Sequence, residues 1–111
     1  MSNITVAQQV MSGMQGAFLA DKAQGIDAVV QFVLTGEGGG EYFMTIKDGK
    51  VDVTPGMAPA PKMTLTADAK DYADISAGRL NPMQAFSSGK LKVGGDMMFA
   101  MKFASLFGRA M

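Results

Sequence analysis

The chain contains no cysteine and no histidine. Disulfides, thiolate nucleophiles, histidine-based triads and the usual zinc ligands are excluded together. So is the side chain best suited to proton transfer near neutral pH, which leaves carboxylate or lysine chemistry as the enzymatic routes. Neither charge is in surplus: Lys+Arg and Asp+Glu are both 10. With no basic excess to neutralise phosphates, nucleic acid is not expected as a partner. No stretch approaches the roughly 20 apolar residues of a membrane-spanning helix. The opening MSNITVAQQV lacks the basic patch and continuous apolar run of a secretory signal.

What is present is a chain of 111 residues, 48% hydrophobic and 18% charged. That is the size and composition of one folded domain with a real core, so a single domain over 1–111 is expected. Residues 4–20 read as a helix, because Ile4, Ala7, Val10, Met11, Met14 and Phe18 recur three or four apart. Ser2 or Asn3 is the expected cap and Gly25 the exit. Gly13 and Gly16 each cost about 1 kcal/mol relative to alanine there. They either admit a close neighbour or leave the helix loose.

From Ile26 the period changes to two, through Ala28, Val30, Phe32 and Leu34, which indicates a strand. GEGGG (36–40) is a turn, and Tyr42, Met44 and Ile46 continue the alternation. Asp48-Gly49 signals a type I′ hairpin into Val51 and Val53. The proline-rich TPGMAPAPK (54–62) is a crossover loop, since proline cannot donate to a ladder. MTLTA (63–67) is the next strand. Asp68 caps a helix with Tyr72 and Ile75 inward, and Gly78 is its stop. Asn81-Pro82 starts a short helix whose apolar residues are Met83 and Phe86. KLKV (90–93) is a short strand, Gly94-Gly95 a break and Asp96 the cap of a last helix. The expected class is α+β, with helices gathered on one face of an antiparallel sheet.

Several motifs invite chemistry and do not carry it. GEGGG lies between two strands, so it lacks the amide-lined helix end that holds phosphate. Gly89-Lys90 has no upstream glycine spacing. Asp68, Asp71 and Asp74 recur at threes, but acidic residues are favoured at a helix start by capping and by the macrodipole.

The methionines are more informative: there are 11. Methionine is flexible and polarizable, so it serves either as core filler or as the wall of a pliable cavity. The last helix, within GDMMFAMKFASLFG (95–108), carries one narrow polar ridge of Lys102, Ser105 and Arg109. Met97, Met98, Phe99, Met101, Phe103, Leu106 and Phe107 fill most of the remaining circumference. One sheet buries a single stripe of a helix, so the rest of this surface calls for a second subunit, a membrane surface or a bound apolar ligand. A membrane-surface helix wants a basic polar face, which one lysine and a terminal arginine hardly supply.

AQGIDAVVQFVLTGEGGGEYFMTIKDGKVDV (23–53) and LNPMQAFSSGKLKVGGDMMFAMKFASLF (80–107) resemble the sterol carrier protein type two family. The matching features are the GIDAVVQF start, the glycine-rich hairpin, the DGKV hairpin and the GKLKVxGDMxxAMKxxxLF close. The resemblance implies a five-stranded, mainly antiparallel sheet covered on one face by helices and enclosing a hydrophobic tunnel. The element order is α-β-β-β-crossover-β-α-α-β-α. It implies a non-enzymatic lipid carrier for fatty acids, fatty acyl-CoA, sterols or phospholipids, with no cofactor and no metal. Membrane contact would be transient, and the state monomer or homodimer. The tunnel wall is expected from Phe32, Met44, Met83, Phe86, Met98, Met101 and Phe103, with Met14 and Phe18 from the first helix. Lys102 is expected to stay solvated near the mouth. The closing Gly-Arg-Ala-Met is not a peroxisomal address; a bare domain of this kind resembles prokaryotic members and implies a cytoplasmic setting. The competing reading is an interaction module that uses the apolar last helix as a homodimer or partner interface.

Overall fold

Side-chain alternation along one central strand decides which face of the sheet is covered. In a computed structural model, which describes residues 5–77 and 79–104, five strands form one sheet in the order β3-β2-β1-β4-β5. They are β1 (Ala28–Thr35), β2 (Gly40–Lys47), β3 (Lys50–Pro55), β4 (Met63–Asp68) and β5 (Leu91–Gly95). Four helices join them: α1 (Val6–Ala17), α2 (Ala69–Ser76), α3 (Pro82–Ser87) and α4 (Met97–Ala104). A single 3-10 turn, Ala20–Ala23, links α1 to β1. The α+β class and the order of elements are as expected from the sequence.

Three of the four pairings are antiparallel, and β1 with β4 is parallel. The parallel pair follows from the crossover. Strand β3 runs with β1 because each is antiparallel to β2, and β4 resumes that direction after the proline-rich loop. The β2–β3 turn places Asp48 at φ 54° and Gly49 at φ 72°. Positive φ at both central residues is the type I′ hairpin that Asp-Gly announces.

Thr5 caps helix α1; the expected caps, Ser2 and Asn3, lie outside the described residues. The Gln8 backbone N–H donates to the Thr5 hydroxyl (3.1 Å) and the Thr5 N–H to the Gln8 side chain (2.9 Å), a reciprocal capping box. The Ala7 N–H donates to the Gly38 carbonyl (2.8 Å), so the glycine-rich hairpin also satisfies this helix end. The helix stops at Ala17, short of the expected residue 20, because Phe18 is extended. Its buried stripe is Ala7, Val10, Met11 and Met14. Around Gly13 and Gly16 an added Cβ would meet nothing within 4 Å. These glycines admit no close neighbour.

Residues paired across the sheet share a face. One face therefore gathers Ala28, Val30, Phe32 and Leu34 with Met44, Ile46, Met63, Leu65, Ala67 and Leu91, all buried. Helices α2 and α4 meet this face at Phe32. Helix α1 packs on α2 and β3, and α3 on β5.

Gln31 points to the opposite face and is 1% exposed. Its Nε2 donates to the carbonyls of Tyr42 (3.0 Å) and Gly56 (3.1 Å), while its Oε1 accepts from the Ala58 N–H (2.7 Å). One amide thus fastens the crossover loop to the sheet. The loop's end is fastened by the Lys62 N–H donating to the Val29 carbonyl (2.8 Å) and by the Asp96 N–H donating to the Lys62 carbonyl (3.0 Å). Gly95, at φ 95°, lies so close to Lys62 that a Cβ would stand 2.5 Å from its carbonyl oxygen. Only glycine fits where β5 turns into α4.

Two stability changes follow. Gly13→Ala adds a helix-former into open space and should stabilise by about 0.5–1 kcal/mol, read as a higher thermal midpoint. A lower midpoint would contradict the open placement. Gln31→Leu leaves buried or half-buried loop groups unpaired and should cost about 2–3 kcal/mol, a fall of about 10 °C or more for a domain of this size. An unchanged midpoint would contradict the role given to the amide.

Candidate ligand site

The layer between the covered sheet face and the helices holds the largest fully buried side chains on that face. Phe32 projects from β1, Met44 from β2, Met63 and Leu65 from β4, Tyr72 and Ile75 from α2, Phe103 from α4 and Met14 from α1. The Phe32 and Tyr72 rings meet edge to face, with centroids 5.7 Å apart at 63°. Phe103 stands 6.0 Å from Phe32 and 6.2 Å from Phe99. Such ring pairs add about 0.5–1.5 kcal/mol beyond their buried area. Around them lie unbranched thioethers, which repack at low cost because methionine has three rotatable bonds and a soft sulfur.

The nine residues expected to line a tunnel divide into two groups. Met14, Phe32, Met44 and Phe103 belong to one buried cluster, with Phe18 packed against it. Met83, Phe86 and Met98 stand at the surface, 73%, 46% and 80% exposed. The Met101 side chain lies outside what is described. Helix α3 is short and buries Ala85 instead, so its larger apolar residues face outward. Met83 edges an open depression of about 580 Å³, shared with Leu80, Gln84, Ser87, Ser88 and Lys90.

On α4 the buried residues are Phe99 and Phe103, one turn apart, while Met97, Met98 and Lys102 are exposed. Met98 and Lys102 are also one turn apart, so the polar ridge at Lys102 continues into an exposed methionine. Ser105 and Arg109 lie outside the described residues. Met63, Leu65, Tyr72 and Phe99 belong to the layer and were not among the nine. The alternation of MTLTA carries the signal for the first two, and the four-residue spacing of Phe99 and Phe103 carries it for Phe99.

Of the acidic residues at threes, Asp68 and Asp74 have structural partners, and Asp71 lies in the first turn of α2. Asp68 caps α2, accepting from the Lys70 N–H (2.9 Å). Asp74 accepts two bonds from Arg79, at 2.9 and 3.1 Å.

Among the described residues two ionisable groups are perturbed. Burial pushes the Tyr72 hydroxyl far above the ordinary phenol range, so it stays protonated. Among the described residues that hydroxyl has no hydrogen-bond partner, and a buried polar group left unsatisfied costs roughly 1–3 kcal/mol. Asp96 is shifted the other way. The Phe99 N–H donating to Asp96 Oδ1 (3.0 Å) holds its carboxyl below the usual range, and Lys62 adds to the effect from 3.6 Å. The Lys62 ammonium also lies 5.7 Å over the Phe99 ring, so one lysine ties the start of α4 to the crossover.

Comparison with known proteins agrees with this architecture. The sequence model of the SCP-2 sterol transfer family matches residues 5–108. Hydroxysteroid dehydrogenase-like protein 2 of Xenopus tropicalis is 32% identical over 104 residues, which make up 92% of this chain and 25% of that protein. The sterol carrier protein domain 2 of Helicoverpa armigera superposes with a TM-score of 0.75 at 26% identity, over 96% of this chain and 88% of that one. The palmitated SCP2L2 of Aedes aegypti superposes with a TM-score of 0.69 at 26% identity, over 95% and 93% of the two chains. The chain belongs to the SCP-2 sterol transfer family. It spans about a quarter of the length of the first curated relatives it matches.

The depressed carboxyl of Asp96 sets a pH dependence. Its contribution is present above the unfolded value of 3.8 and is lost as pH falls through the lower folded value. Wild type should therefore exceed Asp96→Asn in thermal midpoint at neutral pH, with the gap closing below about pH 4. A gap that persists unchanged into strong acid would contradict this assignment.

Proposed function

We propose that the protein is a non-catalytic lipid carrier that takes an apolar chain into the layer between the covered sheet face and α1, α2 and α4. The observation that carries this reading is the layer's make-up: aromatic rings interleaved with buried methionines, on a fold whose family is named for sterol transfer. The palmitated state of the Aedes aegypti relative supports a fatty acyl chain as one occupant. Met14, Phe18, Phe32, Met44 and Phe103 form the wall in this reading. Met83, Phe86 and Met98 lie at the mouth, where exposed apolar side chains meet the ligand as it enters.

Burial of hydrocarbon supplies the affinity, at about 0.8 kcal/mol per methylene. Fatty acids, fatty acyl-CoA, sterols and phospholipids all offer such surface, and methionine-lined walls accept different shapes. The chain's own residues bind and shield; no bond is made or broken.

Displacement of a fluorescent fatty acid by saturated fatty acids of increasing length tests this. Affinity should rise by up to roughly fourfold per methylene until the layer is filled. Failure of every chain length and of sterols to displace the probe would overturn the reading. A stable dimer in sedimentation, together with that failure, would favour the interface reading, which the exposure of Met97 and Met98 on α4 also suits.

A further inference from the structure

Tyr72 stands apart from every other member of the buried layer. Among the described residues it carries the only side-chain oxygen in the fully buried part of the cluster. Its hydroxyl is sealed from solvent and has no hydrogen-bond partner among the described residues. The other buried polar side chain, Gln31, has both ends of its amide engaged. The fold thus satisfies one interior polar group and leaves the other open.

Nothing in the local packing calls for the hydroxyl. The edge-to-face contact with Phe32 is made by the ring, and a phenylalanine would make it equally. A native buried polar atom without a partner points to a group absent from the protein chain itself. The site is also uncharged: among the described residues no Asp, Glu, Lys or Arg is buried. An ionised headgroup taken there would lack a counter-charge, whereas a neutral oxygen would not need one.

We propose that the Tyr72 hydroxyl is an interior anchor that donates a hydrogen bond to an uncharged oxygen of the bound lipid, an alcohol oxygen or an ester or ketone carbonyl. This rests on the reading of the layer as a lipid site and gives that site its polar specificity. The hydroxyl remains protonated and available to donate, as its burial dictates. The buried methionines of the same cluster, Met14, Met44 and Met63, yield to admit the chain.

The test compares wild type with Tyr72→Phe by displacement of a fluorescent fatty acid, using hexadecan-1-ol, methyl palmitate, palmitate and hexadecane presented on cyclodextrin. The variant should bind the alcohol and the ester about tenfold more weakly, roughly the worth of one hydrogen bond. Hexadecane should bind both proteins alike, and palmitate should change little. The alcohol and ester arms separate the two sources of a neutral oxygen. Without ligand, Tyr72→Phe should unfold at the same temperature as wild type or higher, because it removes an unsatisfied group.

Equal affinities of the two proteins for alcohol and ester would overturn the anchor while leaving lipid binding in place. An equal loss for palmitate would overturn its preference for uncharged oxygen. A ligand-free variant of lower stability would overturn it too, because the hydroxyl would then be bonded within the protein. Wild type that releases the probe to none of the lipids would overturn the lipid reading itself.

Discussion

The alternation of β1 is the constraint on which the other elements depend. Ala28, Val30, Phe32 and Leu34 face the helices, while Gln31 between them holds the crossover loop on the opposite side. A slip of one residue would exchange these faces, placing an amide in the apolar layer and Phe32 beneath the loop. Both halves of the strand's surface therefore specify one register. The parallel pairing with β4 depends on it as well, because the loop that delivers β4 is the one Gln31 fastens.

The two faces have different characters for the same reason. The loop face is fixed by directional hydrogen bonds, which tolerate little movement. The helix face is filled by rings and thioethers, which hold by contact area and can exchange partners. Phe32 stands at the centre of the second face, touching Tyr72 of α2 and Phe103 of α4. A protein that must admit a guest without unfolding needs this combination: a sheet clamped from behind and a soft layer in front. The Lys62–Asp96 link belongs to the clamp. It holds the start of α4 to the crossover, so the helix is anchored at one end beside the layer.

Much of this was legible from local chemistry. Asp48-Gly49, Asn81-Pro82 and the caps at Asp68 and Asp96 act within a few residues, and each sits where its motif indicated. The Thr5 cap is also a local signal, as Thr-x-x-Gln, but the apolar spacing that begins at Ile4 points to a start before it. The exposure of Met83, Phe86 and Met98 was not legible. Apolar spacing identifies a stripe on a helix, but what covers that stripe is decided by α3's docking through Ala85 and by α4's docking through Phe99 and Phe103. The engagement of Gln31 and the isolation of Tyr72 depend on residues distant in the chain, which a window of sequence does not contain.

The central claim is that a lipid chain enters the buried layer instead of resting on the exposed methionines. Methionine methyl resonances report both places at once, because Met14, Met44 and Met63 are buried and Met57, Met83 and Met98 are exposed. Titration with palmitate should move the buried set, with saturation near one chain per protein. A titration that moves only the exposed set would contradict entry into the layer.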